Sequence, residues 1–184
     1  VARLTVVELD RDLAGRLRAA VEGGPGRGVA VVTPEHVNGF GLAGPVARAS
    51  GVATDLRRHP DRAGGHEAPW EGLADLLAVD VPATGDAQAR FGHLAAEVTA
   101  SAAMVGRLLD GLPEGPLQAH LPKVVKLPEG DWVSAVEAPL GRAGVVVTSR
   151  GEKTPWRLRL RTASFAHVAA WVAVLPGTAL GDLP

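Results

Sequence analysis

The sequence predicts a mainly helical body carrying a small antiparallel β excursion, either a hairpin or a three-stranded sheet. Three observations predict it. The longest periodic segment, roughly Asp86 to Asp110, repeats apolar residues at helical spacing. A second apolar run near the end, "FAHVAAWVAVLP", is helical in character and broken at Pro176. Between them, alternation of period two is confined to 132–161.

Element by element, the chain opens with Val1, Leu4, Leu9, Leu13, Leu17 and Val21 near helical spacing, and Gly23 and Gly24 supply a stop. "RGVAVV" reads equally as a short strand or a buried turn. "TPEHV" is a helix start, with Thr33 as cap, Pro34 in the first turn and Glu35 beside the free amides. The next stretch, "GPVARASGVATDLRR" at 44–58, holds almost no bulky apolar residue and so contributes little to a core. A variable loop region follows at 59–85, marked by Pro60, Gly64, Gly65, Pro69, Pro82 and Gly85.

The long helix carries one stripe through Phe91, Leu94, Ala95, Val98, Ala102, Val105, Leu108 and Leu109, and Gly111 closes it. Leu94, Val98, Val105 and Leu109 are expected to be buried. "EGPLQAHLPKVVKLPEG" is a proline-punctuated linker. After it, "DWVSAVEAP", "AGVVVTSR" and "TPWRLRLR" read as strands, the last two joined across "RGEK". Trp156, Leu158 and Leu160 alternate with Arg157, Arg159 and Arg161, the pattern of a half-exposed strand. The final helix, with Phe165, Val168, Val172 and Leu175 on overlapping faces, is apolar nearly all round and is expected to be only partly covered by this chain.

Composition narrows the function classes. The 184 residues suffice for one domain with a sizeable core. A formal net charge of -1 provides no field for nucleic acid, and no such partner is expected. No apolar run approaches the ~20 residues that span a bilayer. Cysteine is absent, which removes thiolate ligands, disulfides and a cysteine nucleophile together. The first residue is not methionine and the last four are "GDLP", so the chain reads as a piece of a longer polypeptide.

Candidate chemistry is sparse. Histidines stand at 36, 59, 66, 93, 120 and 167 with no i,i+4 pair, and they are expected on the surface. His59 and His66 beside Asp61 and Glu67 make only a weak metal pattern. "GPGRG" at 24–28 lacks the lysine and serine of a phosphate loop, and no dinucleotide fingerprint occurs. No catalytic residue and no metal ligand is assigned.

The stretch at 44–58 is different. Arg48, Ser50, Gly51, Asp55 and Arg57 form a compact polar motif in which arginine and aspartate can pair and pin a thin backbone. Two readings stay open: a structural clamp without chemistry, and an anion or cofactor cleft. Glycine at 51 is expected where the backbone passes close to a helix, so that Gly51→Val would be destabilising by crowding or torsion.

On these residues the chain resembles a known family. "GLAGPVARASGVATDLRR" is similar to the signature of the large peripheral-arm subunit of respiratory complex I, the D subunit of the proton-pumping NADH:quinone oxidoreductase, itself akin to the nickel-iron hydrogenase large subunit. Gly44, Pro45, Arg48, Ser50, Gly51, Asp55, Leu56 and Arg57 match. "GDAQARF" resembles the family's Gly-Asp-x-x-x-Arg-Tyr helix start, with Glu97 and Ser101 at matching positions. "EAPLG", with Glu137, resembles its Glu-Ala-Pro-Arg-Gly-Glu hairpin, and "GTALGDLP" its Gly-His turn. The blocks fall in family order across 29–184.

Departures accompany the matches. Leu140 and Arg142 replace a family arginine and glutamate, Leu94 a second arginine, Thr178 a histidine, and Trp156 a tyrosine. The resemblance implies a hydrogenase large-subunit-like fold and places Arg90, Glu97, Glu137 and Arg157 among residues that support a redox centre without ligating it. It implies quinone and NAD for a whole complex, with the iron–sulfur cluster in a partner subunit and no cofactor bound by this piece. It also implies iron–sulfur and membrane-arm partner subunits, and a cytoplasmic position, peripheral on the inner face of the cell membrane. The family's quinone-site histidine and tyrosine would precede Val1. The other reading is a degenerate, non-redox structural paralogue acting in assembly.

Overall fold

The computed structural model describes residues 13, 15–58, 73–77, 81–116 and 120–182. Helical turns over 15–23 (α1) lead through a loop to α2 (Pro34–Phe40) and α3 (Pro45–Ala49). The 24-residue α4 (Ala87–Asp110) follows, then a sheet of β1 (Gly130–Ala138), β2 (Gly141–Ser149) and β3 (Arg157–Arg161), and then α5 (Ala163–Val174). The fold is the mainly helical one with a three-stranded antiparallel sheet that the sequence predicts. Val1, Leu4 and Leu9 of the first predicted helix, and most of the 59–85 loop region with His59 and His66, lie outside the described residues.

The local signals act as expected at two helix starts. Thr33 caps α2 by accepting from the His36 amide, and His36 returns the bond by accepting from the Thr33 amide, a capping box with histidine in the usual glutamate place. Asp86 caps α4 by accepting from the Ala89 amide at 2.8 Å through one oxygen, and from the Gly28 amide at 2.9 Å through the other. One carboxylate thus ties the longest helix to a loop 58 residues earlier in sequence. The undecided "RGVAVV" is a turn and bend, with Ala30 at φ +47°, and its Val32 amide donates to the Gly85 carbonyl at 2.8 Å.

The core is small and built from α2, α3 and α5. Val32, Val37, Leu42, Ala47 and Ala170 are buried together, with Phe40, Val46, Val52, Ala166 and Val174 packed around them. A second cluster sets Leu77, which ends a 3-10 turn (Ala74–Leu77), and Leu73 just before that turn against Met104 of α4.

Here the structure corrects the helix-face expectation. The buried residues of α4 are Ala89, His93, Ala95 and Met104, whereas Val98, Val105 and Leu109 are exposed and Leu94 is only half-buried. Ala89, His93, Glu97, Ala100 and Met104 share one helical face, and Phe91, Val98, Val105 and Leu109 the opposite one. Small residues on the inward face let α3 approach closely, and Ala47 and Ala49 of α3 are fully buried. The more apolar stripe faces outward.

The sheet runs β1-β2-β3, with β1 and β2 joined by the two residues Pro139 and Leu140 between the paired Ala138 and Gly141. It begins at Gly130, two residues before the predicted excursion. All five residues of β3 are exposed, so the strand expected to be half-exposed is open on both faces. On α5 only Ala170 is buried, and Phe165 is 81% and Val172 77% exposed.

Gly51 is not where crowding occurs. Its φ is +82°, and a Cβ there would meet nothing nearer than the Ala83 Cβ at 3.9 Å. The glycine requirement is therefore one of torsion alone. Gly51→Ala is expected to cost about 1 kcal/mol, the left-handed penalty for an L-residue. A urea-midpoint loss several times larger would reinstate crowding.

Candidate functional site

The motif at 44–58 becomes the centre of a buried ionic cluster drawn from four parts of the fold. Pro45 starts α3 at a position needing no amide donor, and the Ser50 hydroxyl donates back to the Val46 carbonyl at 2.8 Å, ending the helix after five residues. That short helix aims Arg48 toward α4. One of its terminal nitrogens, Nη1, donates to the Glu137 carboxylate of β1 and to the Thr54 carbonyl, each at 2.9 Å. The other, Nη2, donates to the Glu97 carboxylate of α4.

A second ion pair closes the cluster. The Asp55 carboxylate accepts from the Arg57 backbone amide at 2.9 Å and from Nε and Nη2 of the Arg57 guanidinium at 2.9 and 2.7 Å, a two-pronged pairing. Arg48 lies 3.7 Å from Asp55, and Arg57 lies 3.8 Å from Glu97. The second Glu137 oxygen accepts from the Leu56 amide at 3.2 Å. Two guanidinium groups thus face three carboxylates, and the Asp55 and Glu137 side chains are each only 4% exposed.

Electrostatics follow from that setting. Burial by itself would raise the Asp55 carboxyl, but the hydrogen bonds and charge of Arg57, with Arg48 behind it, hold it below the ordinary range. Burial pulls the Arg57 guanidinium down, and Asp55, Glu97 and Glu137 together push it above its usual value. Both partners stay charged.

The other expected residues are placed elsewhere. Gly51 forms the turn after α3, its amide donating to the Arg48 carbonyl at 3.0 Å. Arg90 donates to the Ala30 carbonyl at 2.9 Å and the Gly85 carbonyl at 2.7 Å, clipping the 26–32 loop to the start of α4. Burial lowers its pKa against the opposing charge of Asp86. Arg157 is exposed on β3 opposite Thr148 and does not join the cluster.

His93 is a correction to the expectation that the histidines lie on the surface. It is 4% exposed, and neither ring nitrogen has a hydrogen-bond partner, nor does the buried Nε of Arg48. Burial first, and the positive charge of Arg48 second, push its pKa below the ordinary value, so the ring is neutral at pH 7. Its sequence signal is its place on the motif helix, three residues after Arg90 and four before Glu97, on the face that carries Glu97. His167 is likewise lowered by burial, partly offset by its bond to the Ala43 carbonyl.

The sign of the resulting pH effect is fixed. The unfolded chain takes up a proton on His93 below about pH 6.5, and the folded chain resists it. The stability it contributes is full above that pH and is lost as pH falls through the lower folded value. His93→Phe is expected to flatten part of the loss of stability as pH falls below about 6.5. His167 retains its own share, and Asp55 acts only below about pH 4. Denaturant midpoints measured across that range, with an identical slope in the variant, would contradict it.

No group of three or more His, Asp or Glu residues is placed to hold a metal ion among the described residues, and none of their helices is long and apolar enough to cross a membrane. The cluster holds no nucleophile or proton-transfer pair aimed at a cleft. What it can do is lock α3, the 52–58 loop, α4 and β1 into one fixed arrangement of buried charges.

The fold that carries this cluster is shared with a chain of a respiratory membrane complex. The chain superposes with a TM-score of 0.76 and 27% identity on a chain in the structure of the membrane-bound sulfane sulfur reductase (MBS), an archaeal respiratory membrane complex, covering 99% of this chain and 51% of that one. The family is then plain: the chain belongs to the respiratory-chain NADH dehydrogenase 49 Kd subunit family, whose profile matches residues 26–126 and 120–184. The D 1 subunit of the NADH-quinone oxidoreductase of Streptomyces coelicolor is 44% identical over 161 residues, which is 85% of this chain and 40% of that protein. The D 2 subunit of the Salinispora arenicola enzyme is 43% identical over 159 residues, 85% of this chain and 39% of that protein. The chain therefore spans about two fifths of the length of these relatives.

Proposed function

We propose that this chain works as part of the D subunit of an NADH-quinone oxidoreductase, supporting the passage of electrons from an iron–sulfur cluster in a partner subunit to quinone. The observation that carries the reading is the buried Arg48–Asp55–Arg57–Glu97–Glu137 cluster, built on the residues that match the family motif. With no cysteine the chain has no thiolate to offer a cluster, so no electron step is assigned to its own side chains. Its part is to hold fixed charges in a rigid frame beside the electron path, with Arg90 securing the start of α4. Quinone and NAD belong to the whole complex, seated peripherally on the cytoplasmic face of the membrane through iron–sulfur and membrane-arm subunits.

The test is to carry Glu97→Gln into the complete complex. Glu97→Gln keeps the shape of the side chain and removes one charge. NADH-to-quinone turnover in membranes should fall while the assembled complex, measured on native gels, persists. Full turnover with the complex intact would instead favour a non-redox assembly paralogue. The replacement of family charges by Leu94, Leu140 and Arg142 is the observation on that side.

The reading also needs cover for the exposed apolar faces of α5 and α4, with Phe165, Val168 and Val172 on one and Phe91, Val98 and Val105 on the other. The 184-residue chain alone should bind a hydrophobic dye or self-associate. Partner subunits, or the further length that its relatives have, should suppress both. A monomeric chain of 18.9 kDa without dye binding would count against this.

A further inference from the structure

The β2–β3 hairpin is a basic pole in a chain whose formal net charge is -1. Residues 141–162 contain Arg142, Arg150, Lys153, Arg157, Arg159 and Arg161 against the single acid Glu152. Arg150 is engaged, its guanidinium lying 3.3 Å from the centre of the Trp156 ring. Arg157, Arg159 and Arg161 are not: they share one face of β3, opposite Thr148, Val146 and Gly144 of β2, and none pairs with a carboxylate among the described residues.

The opposite face of the same strand carries Leu158 and Leu160, the latter 71% exposed, across from Val147 and Val145. β3 lies at the edge of the sheet, so among the described residues its outer backbone edge has no strand beside it. It contains no proline, a residue that commonly blocks edge pairing. Three features therefore coincide on five residues: an open backbone edge, unpaired positive charge on one face and uncovered leucines on the other.

We propose that β3 is a docking edge for an extended acidic segment of another protein chain, which adds as a fourth strand. An added strand alternates its side chains as β3 does, so carboxylates at every second position meet the arginines while the intervening apolar residues cover Leu158 and Leu160. An anionic membrane has the charge but fits worse. A lipid surface reaches one face of the strand, leaving the leucines in water or the arginines unpaired, and it offers nothing to the open edge. The inference does not depend on the electron-transfer reading.

The test uses the 184-residue chain and three probes: a synthetic peptide alternating glutamate and valine, a peptide of the same composition with its glutamates in one block, and phosphatidylglycerol vesicles. The alternating peptide should slow amide hydrogen exchange at 157–161 and bind more weakly as salt rises. Arg159→Glu should weaken it about tenfold, and Arg159→Gln by less, both with unchanged unfolding midpoints. Equal binding of the blocked peptide would reduce the site to unspecific charge attraction and overturn the strand pairing. Vesicle binding without peptide binding would overturn the protein partner in favour of a membrane, and binding of no probe would overturn the docking edge itself.

Discussion

Arg48→Met is expected to lower the free energy of unfolding by about 3–5 kcal/mol, the range for removing one partner of a buried, hydrogen-bonded ion pair. Arg48 touches Glu97, Glu137 and the Thr54 carbonyl and lies near Asp55, so its loss leaves Glu137 almost fully buried with only the Leu56 amide as donor. Arg57 is committed to Asp55 through a two-pronged pairing and stands 3.8 Å from Glu97, too far to replace the lost bonds. Adding Glu137→Gln to Arg48→Met should recover part of the loss, because the amide removes one stranded charge. Urea unfolding of the two variants is the measurement. A single-variant loss below about 1 kcal/mol, the range of an exposed pair, would mean that water reaches the cluster.

Gly44→Ala should be comparably damaging for a different reason. A Cβ on Gly44 would stand 2.5 Å from the Gly141 Cα, and one on Gly141 would stand 2.8 Å from the Ala43 carbonyl carbon. Both glycines have positive φ, +68° and +122°. The turn before α3 and the tip of the β1–β2 hairpin therefore cross backbone on backbone, and neither side has a flexible side-chain end to move away. The cost is about 3 kcal/mol or more, adding the strain of a glycine-only torsion to that of overpacking. Gly141→Ala should match it, and the double variant should cost less than the two losses summed, since both break one contact. Fully additive losses would show that the two glycines act separately. Gly51→Ala, with its open surroundings, is the control.

These two sites show where the sequence could be read and where it could not. The motif of Arg48, Asp55 and Arg57 is local, and the pairing of Arg57 with Asp55 two residues away follows from its spacing. That Arg48 would instead find Glu97 and Glu137, 49 and 89 residues later, follows from no local pattern and is decided by the tertiary structure. Gly51 looks like the crowded glycine because it sits in the motif. Crowding depends on what crosses the backbone, and that is settled by the Leu140–Gly141 turn, remote in sequence.

What the sequence by itself determined is what short-range physics controls. The cap at Thr33, the start and end of α4, the antiparallel strands with their tight connection and the apolar character of α5 depend on residues a few positions apart. The tertiary structure alone decided which face of α4 turned inward. Hydrophobic periodicity favoured Val98, Val105 and Leu109, but the inward face is the one bearing Ala89, His93, Glu97 and Met104. A helix presents several faces, and its own sequence cannot weigh apolar area against an ion pair whose partners lie on other elements. Once Glu97 is bound to Arg48 and Ala89 lies on the face that meets α3, a rotation that buried Val98 would break the ion pair and leave Glu137 and Asp55 to share an incomplete set of donors. The greasier stripe is held outward by the cost of stranding those charges.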